Sequence, residues 1–167
     1  MQTEKSILIN IYMGENRLLL IPTIQHFYSY YISAYYYENI KELENYEEIG
    51  EAIQRCIQYI IDTPPSKATP KERKENAAWV KNTKYKSWKT FWKNNNRLML
   101  DIINKDNSYR LSARKKTVDV GRGEYNDIYR DVILPSTTSY EDIAKKVVEM
   151  LKEVEEYYSD KSNIPVY

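Results

Sequence analysis

The sequence contains few of the residues from which catalytic, metal and nucleotide sites are usually built. Among its 167 residues there is one cysteine, Cys56, and one histidine, His26. A single cysteine excludes an intrachain disulfide, and a lone histidine supplies neither a catalytic triad nor a zinc site. Only four glycines are present, and none belongs to a phosphate-binding glycine motif. We therefore expect no enzymatic activity, no cofactor, no metal and no small-molecule substrate.

Long apolar segments are also missing from the sequence. No stretch approaches the roughly 18 consecutive apolar residues that a membrane-spanning helix needs. The first residues, Met-Gln-Thr-Glu-Lys, precede only a short apolar run and do not have the form of a secretory signal. We expect a cytoplasmic protein with no membrane partner. The net charge of +1 gives no bulk attraction to a polyanion.

Tyrosine, by contrast, is abundant. There are 17 tyrosines but only two phenylalanines and three tryptophans. Tyrosine suits half-buried sheet faces and protein interfaces, because its ring packs while its hydroxyl group remains hydrated. The densest tyrosine run lies in residues 26–37, and its composition favours a β-strand over a helix.

The chain contains two segments with the same order of elements. Each begins with a hairpin, and each ends with an amphipathic helix that is capped at Asn45 in the first segment and at Ser139 in the second. Tyr-Glu-Glu-Ile at residues 46–49 aligns with Tyr-Glu-Asp-Ile at residues 140–143. We interpret this as structural repetition, although amphipathic helices also resemble each other by chance.

The repeat predicts an α+β fold of two antiparallel β units, about residues 5–62 and 97–156, each followed by a helix. In the second unit we expect strands at residues 98–103, 108–112, 117–120 and 131–134. Each unit would have one apolar sheet face to bury, so we expect the two sheets to pack on each other, with helices at their ends or open edges. Residues 1–167 would then form a single domain.

The connector between the units, residues 63–96, is basic and holds all three tryptophans. Two interpretations stay open. Lysines 84, 86 and 89 could contact phosphates while aromatic rings stack on the bases of a single strand. Alternatively, Trp88, Phe91 and Trp92 have the spacing of one helix face, which favours rings buried in the core and lysines in water.

Acidic residues concentrate in the first unit, where residues 38–62 hold seven acidic and two basic side chains. These carboxylates fall at the start of a helix or on its outward face, which favours solvation over catalysis. A protein with separated acidic and basic segments suits docking onto a charged partner. The two segments could equally neutralise each other within the fold.

Five segments in the second half match, in sequence and order, a pattern known from one protein family. They are Lys86-Ser87-Trp88-Lys89-Thr90-Phe91, Leu98-Met99-Leu100-Asp101-Ile102, Arg110-Leu111-Ser112-Ala113-Arg114, Val132-Ile133-Leu134-Pro135 and Ser139-Tyr140-Glu141-Asp142-Ile143-Ala144. In this pattern the chain resembles the CdiI-type immunity proteins of bacterial contact-dependent growth inhibition systems. The resemblance covers residues 5–155 in order of elements and is most specific over residues 86–145. It departs at Ala144, where a glycine is expected, and in the near-neutral net charge.

The resemblance implies a cytoplasmic, non-enzymatic inhibitor that binds the C-terminal toxin domain of a cognate effector, often a nuclease. It also implies a Whirly-like arrangement of two packed antiparallel sheets. For the toxin-binding residues we select the Tyr-rich segment and the acidic helix: Tyr35, Tyr36, Tyr37, Glu44, Glu47, Glu48 and Glu51. The alternative function is a single-stranded nucleic-acid-binding module that uses Lys84, Lys86 and Lys89.

Overall fold

The computed structural model describes residues 5–166 and contains strands from both predicted units. The strands are β1 Leu8–Gly14, β2 Arg17–Gln25, β3 Tyr31–Ser33, β4 Glu38–Ile40, β5 Asn96–Ile103, β6 Ser108–Asp119 and β7 Arg122–Leu134. The helices are α1 Tyr46–Asp62, α2 Pro70–Glu75, α3 Ala78–Asn82, α4 Trp88–Asn94 and α5 Tyr140–Ser159, followed by a 3₁₀ turn at Lys161–Asn163. Within residues 5–166, no helix combines the length and apolar character needed to cross a bilayer.

All strands belong to one curled antiparallel sheet in the order β3-β2-β1-β5-β6-β7. The short strands β3 and β4 pair with different stretches of β2. The two units meet where β1 pairs with β5, with Ile11 opposite Leu98. The α+β class and the order of two β units, each followed by a helix, are therefore confirmed.

The manner in which the units join differs from the expected Whirly-like packing of two sheets. Each hairpin presents an edge strand with unpaired backbone N–H and C=O groups, and pairing β1 with β5 satisfies both edges at once. The joined sheet then has one continuous apolar face. Helices α1 and α5 cover this face, rather than the sheet ends or edges.

The main core lies between this face and the two long helices. Ile9, Ile11, Leu98 and Leu100 of the sheet are fully buried with residues of α1 and α5. The apolar residues at corresponding positions of α1 and α5 all belong to this cluster: Ile53, Cys56, Ile57, Ile60, Val147, Met150, Leu151 and Val154. The caps are also equivalent, since Asn45 Oδ1 accepts from the Glu48 N–H at 3.2 Å and Ser139 Oγ accepts from the Asp142 N–H at 3.1 Å.

The opposite face of the sheet carries the connector. Phe91 and Trp92 of α4 are fully buried there against Tyr12, Leu19 and Tyr125. The indole N–H of Trp88 donates to the Gly123 carbonyl oxygen at 2.7 Å, and that of Trp92 donates to the Glu124 carbonyl oxygen at 2.8 Å. The core interpretation of these rings is confirmed.

Two strand expectations need correction. Of residues 26–37, only Tyr31–Ser33 forms a strand, because the chain turns after β2 and Ser29 adopts a positive φ of 67°. In the second unit, residues 108–112 and 117–120 were expected to be separate strands. They lie instead in one strand, β6, apart from Val120 in the following turn. Two register shifts between β6 and β7 allow this long strand to bend without ending.

Gly50 marks the close approach of α1 to the start of α5. A methyl group at this position would lie 2.9 Å from the Tyr140 carbonyl carbon. Alanine improves helix propensity by about 1 kcal/mol, but the backbone of α5 cannot yield without moving the helix pair. We expect Gly50→Ala to lower the free energy of unfolding in urea by about 1–2 kcal/mol. Gln54→Ala, on the exposed face of the same helix, should change it by less than about 0.5 kcal/mol. A Gly50→Ala protein as stable as the wild type would contradict this close contact.

Lys116 of β6 is a buried cation where α4, β6 and α5 meet. Its Nζ donates to the Lys93 carbonyl oxygen at 2.9 Å and lies 5.0 Å from the ring centre of Tyr158. Burial lowers the pKa of Lys116 from 10.5 to about 8. Below pH 8 the lysine is charged in both the folded and the unfolded chain, so the cost of burying the charge is present in full. Above 10.5 both forms are neutral and this cost disappears.

The stability of the wild type relative to Lys116→Met should therefore rise with pH between about 8 and 10.5. The expected rise is roughly 1–3 kcal/mol, because the unfolded chain binds the additional proton in this window. Urea unfolding of both proteins across this range measures the difference between their free energies of unfolding. The tyrosines titrate in both proteins, so their contribution cancels in this difference. A difference that is independent of pH, or that falls as pH rises, would contradict the buried charge.

Candidate protein-binding surface

The chain between β2 and β4 carries a run of exposed aromatic side chains, here called the tyrosine patch. The exposed fraction ranges from 39% for Tyr37 to 76% for Tyr28. The patch consists of Phe27, Tyr28, Tyr30, Tyr31, Tyr35 and Tyr37. Surface aromatic residues are enriched at protein interfaces, where the ring packs and the hydroxyl group finds polar partners. The patch is therefore a candidate surface for a protein partner.

A simple alternation explains which rings are exposed. From Tyr31 to Tyr37 the side chains point alternately outward and inward, as in an extended chain. Ile32 and Ala34 point inward and pack with Ile24, whereas Tyr31, Tyr35 and Tyr37 point outward. Sequence reasoning selected Tyr35 and Tyr37 but missed Tyr31 and the preceding loop. The period of two could have identified Tyr31.

Tyr36, also selected from the sequence, is on the inward side of this alternation. Its ring stacks on Tyr59 of α1 at 4.4 Å between centres, and its hydroxyl group donates to Glu38 Oε1 at 2.5 Å. Burial, reinforced by this hydrogen bond, raises the pKa of Tyr36 to about 12. Glu38 in turn accepts from Arg55 Nε at 2.7 Å. Tyr36 therefore fixes the patch to α1 and presents little surface of its own.

His26 holds the other end of the tyrosine patch. Its Nδ1 accepts from the Tyr28 N–H at 3.2 Å, so Nε2 carries the proton and donates to the Ala68 carbonyl oxygen at 3.0 Å. The imidazole is buried and stacks on Tyr30 with 4.4 Å between ring centres. The Phe27 N–H donates to the Ser66 carbonyl oxygen at 2.8 Å. These contacts tie the exposed loop to the connector.

The four selected glutamates lie on the surface around the start of α1, and all four are exposed: Glu44, Glu47, Glu48 and Glu51. Glu51 is linked to the tyrosine segment, since Arg55 pairs with Glu51 at 3.8 Å and with Glu38 at 2.7 Å. Glu47 and Glu48 lie nearer the N-terminus of α1, and Glu44 precedes the helix. Glu48 is about 16 Å from Tyr59 along the helix axis.

Glu44 belongs to an open groove of about 690 Å³ between the β1–β2 turn, the loop before α1 and the C-terminal part of α5. The groove is lined by residues of both charges: Asn16, Lys41, Glu42, Leu43, Glu44, Asn45, Lys152 and Glu155. The structure thus divides the selected residues into two neighbouring regions, the tyrosine patch and the acidic start of α1.

The lysines selected for the alternative function are exposed, but the aromatic rings near them are not available for stacking. Phe91 and Trp92 are fully buried, and the Trp88 ring is half-buried with its N–H engaged. Lys84 forms an ion pair with Glu15 at 2.9 Å. Lys86 and Lys89 lie on the surface of the connector.

The residues with catalytic potential have structural roles. Cys56 is fully buried in α1, and burial raises the pKa of its thiol to about 12. A thiol with such a pKa is a poor nucleophile. Among residues 5–166, no group of three or more His, Cys, Asp or Glu side chains is arranged to hold a metal ion.

No protein-family model and no curated protein sequence matches this chain. Solved structures with the same fold exist. One is a protein of unknown function from Neisseria meningitidis, with a TM-score of 0.62 and 16% sequence identity, covering 92% of this chain and 98% of that one. Another is a chain of the CdiA-CT/CdiI toxin and immunity complex from Yersinia pseudotuberculosis, with a TM-score of 0.60 and 12% identity, covering 89% of this chain and 97% of that one. At these identities the likeness defines the fold of this chain, a fold found in a toxin and immunity complex.

The role of His26 as an anchor of the tyrosine patch can be tested directly. His26→Ala leaves the Ala68 carbonyl and the Tyr28 N–H without their partners, so we expect a loss of about 1–3 kcal/mol in the free energy of unfolding. Chymotrypsin should also cleave the Phe27–Tyr31 loop faster. Tyr28→Ala removes an exposed ring but keeps the anchor, and should cost less than about 0.5 kcal/mol. Wild-type stability and cleavage rate in His26→Ala would contradict the anchoring role.

Proposed function

We propose that this chain is an immunity protein that binds and neutralises the C-terminal toxin domain of a contact-dependent growth inhibition effector. The observation that carries the proposal is the fold shared along 89% of this chain with a chain of a toxin and immunity complex. The sequence resemblance of residues 86–145 to CdiI-type proteins supports the same assignment.

The surface of the chain is consistent with a protein partner. The tyrosine patch offers rings with few rotatable bonds, which bury a large contact area at low entropic cost. The adjacent glutamates of α1 add negative charge, which speeds encounter with a basic partner and fixes its orientation. A nuclease toxin has such a basic surface where it binds its substrate, so occupation of that surface would prevent cleavage.

In this proposal the chain acts in the cytoplasm as a single domain and performs no chemistry. One sheet runs through both units, so the tyrosine patch and the acidic helix are parts of one framework. Binding needs no rearrangement of that framework, and a preformed surface favours affinity.

Binding of single-stranded nucleic acid remains the alternative function, and the exposed lysines of the connector favour it. It predicts a gel shift of a single-stranded oligonucleotide at low salt that weakens steeply with salt. Lys84→Gln, Lys86→Gln and Lys89→Gln together should abolish that shift. The immunity proposal predicts no shift for either protein at micromolar concentration.

The proposal is tested by co-expression with the toxin domain encoded immediately upstream. The two proteins should co-purify, and cells that carry this chain should survive induction of the toxin. Absence of a complex together with absence of protection would exclude the function.

Within that complex the contact residues can be separated from the structural ones. Tyr35→Ala combined with Tyr37→Ala, and separately Glu47→Gln with Glu48→Gln and Glu51→Gln, should each weaken toxin binding at least about tenfold, or about 1.4 kcal/mol, in titration calorimetry. Tyr36→Phe keeps the stacked ring and should bind as the wild type does. Asp119→Asn with Asp127→Asn and Glu156→Gln, which removes the same three charges from exposed positions of the second unit, is the matched control for the glutamates. Wild-type affinity in both contact variants would place the interface elsewhere.

A further inference from the structure

A polar pocket of about 450 Å³ lies beside the β1–β2 turn and has no assigned role. It is formed where this turn, strand β4 and the loop after α3 converge. The lining residues are Glu15, Asn16, Arg17, Asn39, Lys41, Asn82, Thr83 and Lys84. None of these side chains is aliphatic or aromatic.

Arg17 is the central feature of the pocket. Its side chain is nine-tenths buried, and its Nη2 donates to Asn95 Oδ1 at 3.1 Å. Its Nη1 is also buried and has no hydrogen-bond partner within residues 5–166. A buried guanidinium N–H without an acceptor is costly, so a small rotation that brings Nη1 to an acceptor in the adjoining pocket would be favourable.

The Asn39 side chain shows a complementary feature. Its Oδ1 is a buried acceptor that has no donor within the described residues. An unpaired donor of Arg17 and an unpaired acceptor of Asn39 therefore lie beneath the surface of the pocket that the two residues line. A ligand that carries both an acidic group and a neighbouring N–H or O–H would satisfy both.

The net positive charge of the pocket favours a negatively charged ligand. Three cations, Arg17, Lys41 and Lys84, face a single carboxylate, Glu15. That carboxylate is already engaged by the Tyr85 hydroxyl group and by Lys84 Nζ at 2.9 Å. These hydrogen bonds hold the pKa of Glu15 below its usual value, so it stays charged and occupied. The remaining positive charge favours an oxyanion, which arginine and lysine bind through charge-assisted hydrogen bonds.

The walls of the pocket and its surroundings indicate where the oxyanion comes from. Sites for free metabolites and nucleobases usually have aliphatic or aromatic side chains in their walls, and no such side chain lines this pocket. Asn16 and Lys41 line both this pocket and the 690 Å³ groove, so the two adjoin. The groove adds Glu42, Glu44 and Glu155 against Lys152, which gives a surface that is positive at one end and has a net negative charge at the other. Such a surface suits a protein segment with charges of the opposite order.

We propose that the Arg17 pocket is an oxyanion-binding site that receives an acidic side chain of the protein partner. This inference rests on the proposed immunity function and adds a second contact region, opposite in charge to the acidic start of α1. The partner segment would place an Asp or Glu at Arg17, and its adjacent backbone N–H at Asn39.

The first arm of the test uses the upstream toxin domain and titration calorimetry. Lys41→Gln with Lys84→Gln should weaken toxin binding at least about tenfold, and Arg17→Gln should weaken it further. Lys71→Gln with Lys74→Gln, an equal charge change on exposed α2, should leave affinity within about twofold.

Circular dichroism melting checks that each variant is folded. Since Lys41 and Lys84 are exposed, the double variant keeps the test valid if Arg17→Gln unfolds. Equal affinity of the pocket variants and the wild type would overturn the inference while the immunity function stands.

The second arm uses acetate and inorganic phosphate as probes, without the partner. NMR signals of the Asn39 and Asn82 side-chain amides should shift saturably as acetate replaces chloride at constant ionic strength, and Arg17→Gln or the double lysine variant should lose the saturation. A linear shift in the wild type would overturn the oxyanion site. Saturation by phosphate but not by acetate would overturn the carboxylate assignment. If acetate binds but the toxin domain does not, the immunity function fails and the partner assignment fails with it, whereas the oxyanion site stands.

Discussion

The pairing of β1 with β5 is the interaction on which the rest of the structure depends. It joins residues of the first hairpin to residues of the second, with Ile9 opposite Leu100 and Ile11 opposite Leu98. Because these four side chains are fully buried, the pairing also creates the continuous apolar face on which α1 and α5 pack. Either unit alone would leave an edge strand open and half of this face in water.

The same pairing determines where function can be located. Helices α1 and α5 cover one face of the sheet, and the connector partly covers the other. The apolar residues of the repeat are therefore buried in these two contacts. The side chains left for recognition lie at the periphery: the tyrosine patch beyond β2, the acidic start of α1, and the charged pocket beside the β1–β2 turn. All three belong to the first unit or border on it, so the second unit contributes mainly support.

The sequence predicts local features of this structure well. The caps at Asn45 and Ser139 and the helix face formed by Trp88, Phe91 and Trp92 depend on residues three or four positions apart, and spacing reveals them. The edge-to-edge junction depends on strands far apart in the chain, for which a single sequence carries no comparable signal. For this reason the two units were correctly identified but were expected to pack face to face.

The candidate site likewise combines features that the sequence predicts with features that only the folded chain shows. The alternation of an extended chain gives the outward positions of Tyr35 and Tyr37 and the inward position of Tyr36, whereas the stack of Tyr36 on Tyr59 and its bond to Glu38 depend on the folded chain. The Arg17 pocket could not be predicted, because Arg17, Asn39 and Lys84 meet only after β2, β4 and the connector are assembled. Buried donors and acceptors without partners are a property of the folded chain.

The central claim is that this fold presents the tyrosine patch and the start of α1 to a toxin domain. Hydrogen–deuterium exchange of the full chain, with and without the toxin domain encoded upstream, tests it most directly. The account predicts slower exchange at residues 27–37 and 44–51 in the complex and unchanged exchange at residues 86–93. Protection confined to residues 86–93, or no protection in any segment, would contradict it.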